Sequence, residues 1–263
     1  PILPRPSKLP ADVVRFAAAA ARQAAQAAPP AELVAEAKQH GLGGEEARLN
    51  RALIAAAYLY DFTGEKQYLR LAQDLLAGLP EVWDHHYARW QSEAVRLVSH
   101  GVVADNTLRL GWRIGGTQRS PYQYSYDHNA RDGSMSSLAY AFDMVAADLD
   151  EAVRQRVIEG FFLPAAIQSR NHYVGDGNQQ ATANVTTLWG GLLARNWPLV
   201  SFTYSSEHGI DGILDWTFSD AGVHLRTNYQ TYSIRPVLWT GEILHALKMD
   251  FYAPRAERLR TAV

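Results

Sequence analysis

Apolar residues in this chain recur every three or four positions, the spacing of one face of an α-helix. Residues 11–28, "ADVVRFAAAAARQAAQAA", hold no Gly or Pro and predict a helix. Pro29 and Pro30 stop it, and residues 31–40 predict a second, shorter one. Leu49, Leu53, Ala56, Ala57 and Tyr60 mark a third. "DFTGEK" at 61–66 reads as a tight turn, with Thr63 as N-cap, Gly64 easing the bend and Glu65 in the next first turn. Tyr68, Leu71, Ala72, Leu75 and Leu79 carry the following helix. Helix, short turn and helix make an αα-hairpin.

Periodicity weakens over 83–133, where Trp, Tyr, His, Gly and Arg accumulate. Residues 92–103 still predict a helix; 111–133 read mainly as a long loop, a kind of segment often tied to function. Strong patterns then return. Leu138, Phe142, Val145 and Leu149 mark one helix, and "DLDEAVRQRVIEGFFLPAAIQ" another, with Asp150 as its cap. Val185, Leu188, Trp189, Leu192 and Leu193 mark the next, with Trp189 on its apolar face and expected in the core. A polar segment at 201–212 precedes a helix near 209–218, and Val237, Leu238, Leu244 and Leu247 close the series. The final "MDFYAPRAERLRTAV" still reads as helix, which leaves room for a longer chain of which this is a part. No strand meander and no βαβ alternation is visible, nor any sequence repeat of fixed period. The expected fold is all-α: an (α/α) toroid or incomplete barrel of antiparallel helical hairpins, with residues 1–263 as one domain.

Composition narrows the function classes. The chain is 47% hydrophobic and 20% charged, ordinary for a globular protein. A formal net charge of −2 supplies no global field for nucleic acid, so none is expected as a partner. Zero cysteines exclude disulfides and thiolate metal sites. The apolar runs are too short to span a bilayer, and "PILPRPSKLP" lacks the pattern of a signal peptide. Seven Trp and thirteen Tyr include Trp83, Tyr87, Trp90, Trp112, Tyr122, Tyr124 and Tyr126 near polar stretches; they suit either helix packing or platforms for sugar rings.

Three polar stretches adjoin confident helices: "YSYDHNARDGS" (124–134), "RNHYVGDGNQQ" (170–180) and "DAGVHLRTNYQTYS" (220–233). In a ring of hairpins, loops at one end converge on one cleft. Pooled, they offer His128, Asn129, Arg131, Asn171, His172, Asn178, Gln179, Gln180, His224, Arg226, Asn228, Tyr229 and Tyr232. No G-x-S-x-G, H-E-x-x-H, P-loop or dinucleotide fingerprint occurs. A metal site could be assembled from His128, His172 and His224 only through a geometry that nothing in the sequence supports, and no metal or cofactor is expected. The pooled set suits removal of a proton α to a carboxylate. Amide, imidazole or guanidinium donors stabilise the charge that develops on the carboxylate. A Tyr or His takes the proton, and the same Tyr can protonate the leaving oxygen. Such a β-elimination in a uronate polymer needs no metal.

Four stretches together resemble the helical catalytic domain of the toroid polysaccharide lyases, the group holding alginate lyases and heparinase II/III-like enzymes. "YLYDFTGEKQYLRLA" (58–72) resembles their hairpin turn, and "RDGSMSSLAYAFDMVAADLDEAVRQRV" (131–157) the helix pair before the active-site loop. "NHYVGDGNQQATANVTTLWGGLLA" (171–194) resembles the Asn/His loop running into a helix, and "DAGVHLRTNYQTYSIRPVL" (220–238) the stretch leading to the catalytic Tyr. The resemblance implies that Asn178 with Gln179, or Asn171 with His172, neutralises the carboxylate. It makes Tyr232 the base and acid, with Tyr229 as competitor. Arg131 and His128 bind or neutralise a carboxylate, and Arg226 and His224 fall among the substrate-binding residues. An acidic polysaccharide partner and a periplasmic or secreted setting follow. This sequence departs from the family where Asn171-His172 and Asn178-Gln179 stand apart, and where Ala221 interrupts the Asp-Gly of the second loop.

Two other functions compete. A toroid glycoside hydrolase would use paired carboxylates drawn from Asp127, Asp132, Asp176 or Asp220. A non-catalytic carbohydrate-binding module would use the aromatics alone. Capping suits Asn178 as well as catalysis does, since it follows Gly177 at a helix start.

Overall fold

The computed structural model describes residues 2–40, 42, 48–99, 134–171, 178–217 and 230–262, except for the side chains at 40, 86–99, 134, 171, 178–179, 216–217, 230–233 and 261–262. The described residues form helices and turns, with no strand. The fold class is all-α.

Helix α1 is Ala11–Ala25 and α2 is Pro30–His40. Helix α1 ends at Ala25, short of the expected 28 and before either proline, and Pro30 opens α2 rather than stopping a helix, since its missing N–H costs no hydrogen bond there. Helix α3, Arg48–Thr63, and α4, Lys66–Ser99, form the predicted hairpin. Gly64 turns the chain at φ 70°, and its N–H donates to the Tyr60 carbonyl at 2.8 Å. Thr63 is the last residue of α3 and not the N-cap of α4. Its hydroxyl donates to the Leu59 carbonyl at 2.7 Å and accepts from the Glu65 N–H at 3.1 Å. The helix expected over 92–103 is, as far as Ser99, the end of α4, which runs through Pro80 without a break.

Helix α5 is Ser134–Val145. Helices α6, Glu151–Val157, and α7, Leu163–Asn171, are one rod joined by a π-helical turn at Ile158–Phe162. Asp150 stands at the N-cap position of α6, yet its carboxylate makes no cap bond. It accepts from Gln73 Nε2 at 2.6 Å instead and ties α6 to α4. Helix α8 is Asn178–Leu193, α9 Trp197–Ser205, α10 Ile210–Thr217, α11 Gln230–Ala246 and α12 Ala256–Ala262. The segment expected to be a polar connection from 201 onward is thus helical as far as Ser205. The signal for α9 was Asn196 before Trp197-Pro198. The Asn196 side chain accepts from the Leu199 N–H at 3.3 Å, and proline follows at the helix start.

Packing sorts the helices into two rows. In one, α1 lies on α3, α3 on α5, α5 on α8 and α8 on α11. In the other, α2 lies on α4, α4 on α6 and the π turn, and α7 on α9. Consecutive helices cross between rows, as in α3 with α4, α7 with α8 and α8 with α9.

The close approaches follow from small side chains. Helix α1 buries Ala18, Ala21 and Ala25 against Ala55 and Leu59 of α3. On α8, adjacent glycines meet two neighbours. A Cβ on Gly190 would stand 2.3 Å from the Phe162 carbonyl oxygen, and one on Gly191 would stand 3.0 Å from Leu199 Cβ. Helix α8 is buried on all sides from Gln180 to Gly191, and Trp189 is a core residue, as expected. Fully burying an aliphatic or Phe side chain contributes about 1.5–3 kcal/mol, and the main core gathers such residues from both rows, among them Leu53, Leu76, Phe142, Phe161 and Leu188.

The N-terminal segment straps α3 to α5. The Ile2 and Leu3 N–H groups donate to Asp143 Oδ2 at 2.5 and 3.3 Å, and the Tyr140 hydroxyl donates to the Pro4 carbonyl at 2.5 Å. The Ser7 N–H and Arg5 Nη1 donate to the Asp61 carboxylate at 2.8 and 3.2 Å.

Candidate functional site

The three polar stretches lead into α5, α8 and α11, and α8 packs against both of the other two. Helices scattered along 134–246 thereby pack around α8. The second halves of α5 and α8 meet through Phe162: its ring lies 5.2 Å from that of Phe142, and its carbonyl closes on Gly190.

Asn171 closes α7, Asn178 and Gln179 open α8, and Tyr232 lies in the first turn of α11. The packing of α7 on α8 and α11 on α8 relates the helices that carry them. His172, Tyr229, Arg131, His128, Arg226 and His224 lie outside the described residues, as do Asp127, Asp132, Asp176 and Asp220 of the hydrolase alternative.

The described part of the site is its foundation. Beyond Gln179, α8 buries Gln180, Thr182, Asn184, Thr186 and Thr187, and on the other side of the connection α7 buries Gln168 and Ser169. Polar groups removed from water need partners, since an unmet one costs about 1–3 kcal/mol. Gln180 Nε2 donates to Asn184 Oδ1 at 3.0 Å, and Asn184 Nδ2 donates to the His208 carbonyl at 2.8 Å. Thr187 donates to the Ala183 carbonyl at 3.0 Å. The Gln180–Asn184 pair therefore anchors the start of α8 to the turn between α9 and α10. Arg170 stacks over the Phe202 ring at 5.6 Å and joins the end of α7 to α9. Of these residues only Gln180 belonged to the pooled set; Asn184 lies inside an apolar-looking helix and no local pattern marks it.

Aromatic candidates divide. Trp83 is buried edge-on against Phe161, with ring centroids 6.2 Å apart, so it packs the core. The side chains of Tyr87 and Trp90, and all of Trp112, Tyr122, Tyr124 and Tyr126, lie outside the described set.

Three described tyrosines are poorly suited to act as a base. Burial raises the Tyr58 phenol pKa. Burial, reinforced by Tyr58, Asp61 and Asp143, pushes Tyr140 up to about 12. Burial and a hydrogen bond donated to Glu242 at 2.5 Å hold the Tyr252 proton. Each raised phenol stays protonated at neutral pH. Asp143 is also raised, by burial, against the lowering effect of the Ile2 and Leu3 amides.

Among the described residues, no three His, Asp or Glu side chains cluster as metal ligands. No helix among them is long and apolar enough to cross a membrane. No family model and no curated protein matches the sequence.

Proposed function

We propose that this protein is a polysaccharide lyase that cleaves a uronate-containing chain, alginate or a glucuronate polymer, by metal-independent β-elimination. The observation that carries the reading is the convergence on α8 of the helices entered from the three polar stretches. Two rows of helices, with each helix of a row beside the next of the same row, are also what an (α/α) toroid or incomplete barrel requires. The meeting of the second halves of α5 and α8 suits two helices that run the same way, with the segments before them at one end.

In this reading Asn178 with Gln179, or Asn171 with His172, donates hydrogen bonds to the uronate carboxylate, helped by Arg131 and His128. Charge then spreads onto the carboxylate as the neighbouring C5–H proton leaves. Tyr232, or Tyr229 in its place, takes that proton, the C4=C5 double bond forms, and the C4–O bond breaks with protonation of the departing oxygen. His224 and Arg226 hold further sugar units. The setting that fits an external polymer is periplasmic or secreted.

Incubation with alginate, glucuronan, hyaluronan, chondroitin and heparin, followed by ultraviolet absorbance, tests this directly. Absorbance from the new double bond should rise with one of them. Tyr232→Phe should lower the rate about 10²–10⁴-fold, the usual range for a lost general acid–base. A larger loss in Tyr229→Phe would move the role to that residue. New reducing ends without absorbance would identify the hydrolase instead.

A further inference from the structure

On α11 the exposed Arg235 guanidinium lies over the ring of the half-buried Trp239, 4.5 Å from its centroid. The indole rests against the main core and is held by it. Among the described residues Arg235 makes no ion pair and no hydrogen bond. Arg154, Arg255 and Arg258 each meet a carboxylate instead. The nearest acid on the same stripe of α11, Glu242, is engaged by the Tyr252 hydroxyl. Helical spacing completes the picture. Tyr232, Arg235 and Trp239 stand at i, i+3 and i+7, one face of one helix, and a three-residue step advances about 4.5 Å along the axis.

We propose that Arg235, held flat by Trp239, is a subsite for the carboxylate of an acidic sugar next to the one at the reacting centre. The inference rests on the lyase reading for the identity of that centre. A guanidinium suits the task because its planar fork meets both carboxylate oxygens at once. Stacking fixes the fork in advance and lowers the ordering cost of binding.

The test is calorimetric titration of an alginate hexamer and a glucuronate hexamer into the Tyr232→Phe protein, which blocks turnover, with neutral cellohexaose as reference. One acidic hexamer should bind. Arg235→Ala and Trp239→Ala should each weaken it about tenfold or more, Arg235→Lys should fall between, and added salt should narrow the differences. Arg70→Ala, an exposed arginine on α4, should change nothing, and circular dichroism should show each variant folded. Unchanged affinity in Arg235→Ala, an equal loss in Arg70→Ala, an equal loss toward cellohexaose, or no binding of either acidic hexamer would each overturn the subsite. The absorbance assay on the unsubstituted chain is read separately. Arg235-dependent binding without a double-bond product would sink the lyase and leave the subsite, whereas turnover with a KM indifferent to Arg235→Ala would do the reverse.

Discussion

Single positions show how little room the packing leaves. A Cβ at Gly190 would meet the Phe162 carbonyl at 2.3 Å and Ala166 Cβ at 2.4 Å, both on the neighbouring rod. Neither atom can swing aside, so Gly190→Ala should cost about 3 kcal/mol, the upper end for overpacking. Gly64 is the contrast. Its Cβ would meet nothing within 4 Å, and the strain comes only from φ 70°, so Gly64→Ala should cost about 1 kcal/mol. Urea midpoints of the two variants, with m unchanged, check the ranking. Thr240 shows the opposite sign. Its fully buried hydroxyl has no hydrogen-bond partner among the described residues. Thr240→Val removes the unmet group at nearly constant shape and should be neutral or stabilising by about 1 kcal/mol. Asp143 adds a pH dependence. Its pKa is raised above the ordinary 3.8, so the folded state binds that proton more tightly than the unfolded chain. Its contribution to stability is fullest below 3.8 and is lost as pH rises through the raised value. Urea midpoints of Asp143→Asn should therefore vary less across that acid interval than those of the unsubstituted protein.

Pairs of helices are specified by complementary shapes. Gly78 on α4 sits where a Cβ would come within 2.3 Å of Val34 Cγ2 on α2, and 3.4 Å from Val34 Cβ. Gly78→Ala should destabilise by about 1–3 kcal/mol. Val34→Ala removes the two methyls in conflict and should recover much of that loss in the double variant, although alone it opens a small cavity. A double-mutant cycle measures the coupling; additive losses would mean that the two helices yield independently. Gly160, in the π turn, plays the same part toward Pro80, whose Cβ would lie 2.9 Å from a new methyl. The proline inside α4 and the glycine across from it fit as one contact. Charge does comparable work between α10 and α12. Asp211 accepts from Arg255 Nε at 2.8 Å and Nη2 at 2.6 Å, and Arg258 pairs with both Asp211 and Asp215. Arg255 is buried, so Asp211→Ala strands a cation and should cost about 2–3 kcal/mol.

Across the whole molecule, α3 and α8 both bury small residues, Ala52, Ala55, Ala56 and Ala57 on the one and Ala181 and Ala183 on the other. Each sits inside its row, with neighbours on both sides and a helix of the other row behind it. The scaffold places the start of α8 on one helix and the end of α7 and the first turn of α11 on two helices that each pack against it, and the proposed lyase draws its carboxylate donors and its base from these three. Asn184 is the link to test at this scale, because it joins the α8 end of the site to the α9–α10 turn. Asn184→Leu leaves the His208 carbonyl and Gln180 without that partner. It should lower stability by about 1–3 kcal/mol and, with the lyase assay in hand, reduce kcat more than a stability-matched change such as Gly78→Ala.

The sequence by itself determined the all-helical class, the α3–α4 turn at Gly64, the Trp189 core position and the existence of most helices. These depend on local properties: apolar spacing, turn residues and the lack of strand alternation. Capping roles that depended on partners were misread. Asp150 stands at a helix start but gives its carboxylate to Gln73, a residue far away in sequence. Thr63 is drawn back into α3 because the Leu59 carbonyl is within its reach. Only the tertiary structure decided that the polar residues from Gln180 to Thr187 are buried foundation and not a solvated helix face. A threonine or amide has the same pattern value in water and in a core; what separates the two is whether another element brings a partner to it, and here α7 and the α9–α10 turn do.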